Sequence, residues 1–127
     1  ELRLVQSPTG YVEVPVQWQG SYYPAYIPED FSLQHVKGTT DGYNAFYQND
    51  RQQILSFYEN GPDSEVNINT KDADIQYVTV QGTQALLVRR DGRTILAWSL
   101  HDRYFVIRTD LDAEAAIEIA ESVKKIK

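Results

Sequence analysis

The sequence predicts an α+β fold: an antiparallel, curved β-sheet of about eight short strands with one C-terminal α-helix packed on it. Three observations carry this. Asp91-Gly92 stands between two apolar runs, the dipeptide that a type I′ hairpin turn favours because both central residues need positive φ. Tyr104-Phe-Val-Ile-Arg-Thr109 is rich in the β-branched and aromatic residues that suit a pleated surface. Ala113, Ala116, Ile119, Ala120, Val123 and Ile126 recur at helical spacing, with Glu114, Glu118, Glu121 and Lys125 on the other side.

In chain order, Leu2 and Leu4 precede a turn at Ser7-Pro8-Thr9-Gly10, and Val12, Val14 and Val16 then share one strand face. Pro15 cannot donate to a ladder, which places that strand at a sheet edge. Pro24 and Pro28 hold the residues before them extended. A strand begins at Phe31, continues through Leu33 and His35, and ends near Lys37-Gly38, before a turn over residues 39–42. Residues 43–48 and 52–58 form a hairpin. A turn at Asp50-Arg51 sets Phe46 opposite Leu55 and Tyr47 opposite Ile54; a turn at Asn49-Asp50 sets Ala45 opposite Ile54. Packing favours the first register and is preferred here. Residues 59–74 read as a long acidic loop, in which Val66 and Ile68 alternate as a short edge strand would. Ile75 to Val80 is a strand turning at Gln81-Gly82.

The Asp91-Gly92 turn pairs Arg90 with Arg93, Val88 with Ile95 and Leu86 with Ala97; Leu87 with Leu96 and Ala85 with Trp98 take the opposite face. Both faces are apolar, so this pair belongs at the sheet's centre, with the two arginines projecting into water. A second turn around His101-Asp102-Arg103 sends Phe105 and Ile107 one way and Tyr104, Val106 and Arg108 the other. The closing helix runs to Lys127. Asp110 or Asp112 caps its start, and Lys124, Lys125 and Lys127 suit the negative end of its dipole.

With 127 residues and 42% hydrophobic content, residues 1–127 fit a single domain, its first 20 residues an N-terminal strand region and 21–127 the core. A net charge of −6 repels phosphate backbones and anionic membrane surfaces, so no nucleic-acid partner is expected. No apolar run approaches the roughly 18 residues of a membrane span. Cysteine is absent, which removes disulfides and thiolate metal sites, and methionine is absent even at position 1. A segment upstream of Glu1, able to hold a signal or membrane anchor, is therefore expected.

The residues hold no reactive constellation. His35 and His101 are the two histidines, and neither sits in a zinc pattern. His101 beside Asp102 is the one pair a hydrolase could use, and it reads better as an exposed turn. No serine lies in a nucleophile elbow, and the seven glycines fall singly in turns. Asp63, Glu65, Asn67, Asn69, Asp72 and Asp74 offer oxygens without the order of a calcium loop, so no metal and no cofactor is expected. Among nine tyrosines, Tyr22, Tyr23 and Tyr26 cluster. They either cover the sheet's edge or form a recognition patch for a lipid, peptide or glycan, since tyrosine supplies amphipathic area at low entropic cost.

One resemblance joins these pieces. Tyr26-Ile-Pro-Glu-Asp-Phe31-Ser-Leu33, the tyrosine-bearing hairpin, Val78-Thr-Val-Gln-Gly82 leading to Ala85-Leu, Ile95-Leu-Ala-Trp98, the Tyr104 strand and Ile119-Ala-Glu-Ser-Val123 together resemble the domain of unknown function numbered four-three-six-seven. The likeness spans roughly Tyr22 to Lys127, with Asp30 where that family usually has glycine. The resemblance implies the C-terminal extracytoplasmic part of a membrane-anchored, anti-sigma-factor-like or sporulation-associated protein of Gram-positive bacteria. The expected function is accordingly a non-enzymatic sensory or protein-interaction domain, with a protein or small extracellular ligand as partner. The alternative is a small-ligand module, holding its ligand between sheet and helix or on the tyrosine cluster.

Overall fold

A computed structural model describes residues 3–7, 10–38, 41–62 and 67–127. The α+β class holds, with every strand pair antiparallel and one helix near the C-terminus. The expected strand count does not, because the described residues form eleven strands in three sheets. β1 (Arg3–Ser7) and β2 (Gly10–Val14) make a hairpin. β3 (Tyr22–Pro24) pairs with the last strand, β11 (Val123–Lys125). The large sheet contains β4 (Ser32–Gly38), β5 (Gly42–Gln48), β6 (Ile54–Asn60), β7 (Asp74–Val80), β8 (Thr83–Arg90), β9 (Arg93–Leu100) and β10 (Arg103–Thr109), in the order β4-β5-β6-β10-β9-β8-β7.

That order is two meanders joined back to front. Turn chemistry explains the second. Asp91 and Gly92 both have positive φ, 52° and 76°, as the type I′ turn requires. Leu86, Leu87, Val88 and Arg90 meet the expected partners Ala97, Leu96, Ile95 and Arg93. Gln81-Gly82 turns in the same way. In the first meander neither expected register occurs. Tyr47 lies opposite Leu55 and Ala45 opposite Phe57, one residue from the preferred pairing. The cause is a longer loop built on buried Asn49, whose Oδ1 accepts the backbone N–H groups of Arg51 and Gln53 at 3.0 and 2.9 Å.

One sheet face is apolar from strand to strand. Leu87, Leu96, Ile107, Phe57 and Ala45 form a continuous cross-strand row, each no more than 3% exposed. The helix α1 (Ala113–Glu121) packs there against β9 and β10 through fully buried Ala116, Ile119 and Ala120. The small alanines allow the close approach. Of the two proposed caps, Asp112 serves, accepting Ala115 N–H at 2.9 Å.

The helix stops at Glu121, not Lys127, and no basic residue lies in its last turn. Val123 continues the buried stripe, but on β11, where Lys124 and Lys125 face Tyr23 and Tyr22. Gln81 closes the helix end in place of lysine, its Nε2 donating to the carbonyls of Ala120 and Val123 at 3.0 and 2.9 Å. At the N-terminus, Val16 is 65% exposed rather than aligned with Val14, because β2 ends before Pro15 and a turn bonds Trp18 N–H to the Pro15 carbonyl. Val5, Val14 and Trp18 nonetheless join the common core.

Three expectations fall on other ground. The turns at 7–10 and 39–42 and the acidic residues Asp63 and Glu65 with Val66 lie wholly or partly outside the described residues. Ile68 is in no strand. Glu59 and Asn60 belong to β6, so the loop begins later than position 59.

Candidate functional site

The tyrosine cluster does not form one exposed patch. Tyr22 and Tyr23 are buried, and Tyr26 is half-buried. Tyr22 meets Phe105 edge-on at 5.2 Å, and Tyr23 meets Trp18 at 5.1 Å. The Tyr23 and Tyr47 hydroxyls bond to each other in the interior. Burial, with the neighbouring Tyr47 phenol adding to it, pushes the Tyr23 phenol far up, and burial also raises Tyr47. Burial and then the carboxylates of Glu118 and Asp30 push the Tyr26 phenol up. These rings pack on the inner side of the sheet, against the partners that the sequence could not reveal.

Glu59 is a second buried polar group. Its Oε1 accepts Tyr22 N–H at 2.8 Å and its Oε2 accepts Ser21 N–H at 3.0 Å, while Arg103 Nε lies 3.3 Å from Oε2. A Cβ at Gly20 would stand 2.7 Å from Glu59 Oε1, which is why the chain has glycine there. Both oxygens are engaged in holding the β3 segment to the sheet, and that is a structural task. His101 and Asp102 are both exposed in the two-residue turn between β9 and β10.

A cleft lies on the sheet's outer face, away from the helix, and topology creates it. β6 is central and β7 is an edge, so the connection between them must cross several strands. Its residues Asn67, Ile68 and Asn69 form one wall of a 470 Å³ cleft floored by Val88, Ile95 and Val106, with Tyr58 beside them. Register places these on one face: Val88 pairs with Ile95, and Val106 pairs with Tyr58. Arg90 pins the connection by donating to the Lys71 carbonyl at 2.9 Å.

Three guanidiniums border the cleft. Arg90 lies 3.7 Å from exposed Asp91, and Arg93 donates to Asp110 Oδ1 at 2.9 Å. The side chain of Arg108, next to Ile95 across the ladder, has neither hydrogen bond nor ion pair among the described residues. On a chain of net charge −6, three arginines against two aspartates, Asp91 and Asp110, leave one positive charge in excess at the border. Sequence reasoning placed Arg90 and Arg93 in water and Arg108 on a strand face without connecting them. The signal was available: all three share one face with Val88, Ile95 and Val106.

The sequence profile of the family described as Domain of unknown function (DUF4367) matches residues 21–123. The chain belongs to the DUF4367 family. No curated protein matches the chain. The DUF4367 match begins just before β3 and ends on the first residue of β11, so it takes in the large sheet, the helix and the cleft.

Proposed function

We propose that this DUF4367 domain is a non-enzymatic sensory or interaction domain whose recognition surface is the outer face of the large sheet. The observation that carries the reading is the cleft over Val88, Ile95 and Val106 with Arg108, unpaired among the described residues, at its border. Most of its polar groups are the guanidiniums of Arg90, Arg93 and Arg108 and the amides of Asn60, Asn67 and Asn69, which recognise partners by hydrogen bonding and charge. The resemblance of the sequence to extracytoplasmic parts of membrane-anchored Gram-positive proteins supports an extracytoplasmic site and an upstream anchor. A regulatory role of the anti-sigma type then has the cleft as its input. No helix among the described residues is long and apolar enough to cross a membrane.

The size of the cleft favours a small ligand as the alternative to a protein partner, since small-molecule sites fall in the range of about 300–1,000 Å³. Topology is tested by expressing the full-length gene with a tag after Lys127 in its source organism and adding protease to intact cells. Loss of the tag from intact cells is the expected result. A tag that survives until the cells are lysed removes the extracytoplasmic reading.

A further inference from the structure

The outer face of the large sheet carries a polarity gradient along its strands. Successive rows on one face are two residues apart, a step of about 7 Å. In the first row Arg90 pairs with Arg93. In the second Val88 pairs with Ile95, and Ile95 with Arg108. In the third Leu86 pairs with Ala97 and with Tyr77, which is 69% exposed. Along the strands Arg90 and Arg93 are thus about 14 Å from the last apolar row, and Arg108 about 7 Å from it. Beyond the third row a 240 Å³ recess between Tyr77 and Tyr104 also takes in Trp98, whose buried Nε1 has no hydrogen-bond partner among the described residues.

From this arrangement we infer that the face binds a single-chain amphipathic carboxylate, and the inference rests on the outer face being the recognition surface. The head sits on Arg108, and the chain runs over Ile95, Ala97 and Leu86 towards Tyr77. Among the described residues the Arg108 side chain is the free fork: a guanidinium matches a carboxylate with two parallel N–H···O bonds. Arg93 and Arg90, already held by Asp110 and the Lys71 carbonyl, contribute field rather than new bonds. A small inorganic anion would satisfy the fork and leave the apolar rows wet. A neutral alcohol would cover the rows and leave the arginines unmatched. An amphipathic anion meets both.

The experiment titrates the whole chain calorimetrically with decanoate below its micelle concentration, with decanol, hexanoate and inorganic phosphate in parallel. Decanoate is expected to bind one to one, more tightly than hexanoate, with decanol and phosphate each at least about tenfold weaker. Arg108→Gln, on an exposed side chain, should weaken decanoate about tenfold while leaving the unfolding midpoint unchanged. Ala97→Glu should weaken it comparably by placing a charge under the chain. No decanoate binding, decanol or phosphate binding as tightly, or an unaltered affinity in Arg108→Gln would overturn the inference. The protease experiment on intact cells is independent: it can succeed while decanoate fails, or fail while decanoate binds, so the two readings fall separately.

Discussion

Glu59 on β6 accepts the backbone N–H of Tyr22 at 2.8 Å, across 37 positions of sequence, and so fixes β3 against the large sheet. With Ser21 N–H and Arg103 completing its coordination, this carboxylate is buried but fully matched. Removing it orphans two backbone donors and a half-buried guanidinium. Glu59→Ala should lose about 2–4 kcal/mol in urea unfolding. Glu59→Gln, which sets an amide N–H against one of the donors, should recover only part of that loss. A variant as stable as the parent would show that the segment before β3 is held by packing alone.

Tyr23 and Tyr47 share one hydrogen bond within the core. Changing either to phenylalanine leaves the other hydroxyl unpaired, at a cost of about 1–3 kcal/mol, while changing both should be nearly neutral. A double-mutant cycle by chemical denaturation measures the difference.

The same pair sets an alkaline limit. Burial raises both phenols above their unfolded value of about 10, so above that pH the unfolded chain releases protons that the fold retains. Stability should be independent of these two groups below pH 10 and fall as pH rises beyond it. The double phenylalanine variant should move the alkaline unfolding midpoint upwards in a pH titration followed by circular dichroism.

Gln81 closes the C-terminal end of α1 from a turn 39 positions earlier. Gln81→Ala should cost about 1–2 kcal/mol by leaving helix carbonyls unmatched. Its own φ is 51°, so Gln81→Gly relieves backbone strain while removing the same side chain. The comparison by thermal unfolding separates the two effects; alanine should be the less stable.

Local chemistry made some of this architecture legible. Asp91-Gly92 dictated a turn, the turn dictated a register, and the register put Trp98 and Leu96 on the buried side. The pairing around Asn49 was not legible, because a side chain folding back on its own loop lengthened the connection. β3 and β11 were missed since each has three residues and its partner lies about a hundred positions away. Lysines at 124 and 125 suggested a helix end where the chain had already become extended. Glu59 sat in a polar run that resembled loop, though its neighbours Phe57 and Tyr58 belonged to the same strand. The outer cleft needed topology: only once β6 is central and β7 peripheral must the connection pass over Val88 and Ile95.

The pairing of Tyr22–Pro24 with Val123–Lys125 has a mechanical consequence. Lys124 Nζ also donates to the Gln6 carbonyl at 2.6 Å, and Ile126 N–H to the Ser21 carbonyl at 2.7 Å, so both ends of the described chain meet at one pole. Tension applied between Arg3 and Lys127 would peel this minor ribbon first, sparing the broad ladder and the helix. During synthesis on the ribosome the same junction stays open until residues 123–125 emerge, after every strand of the large sheet has been made.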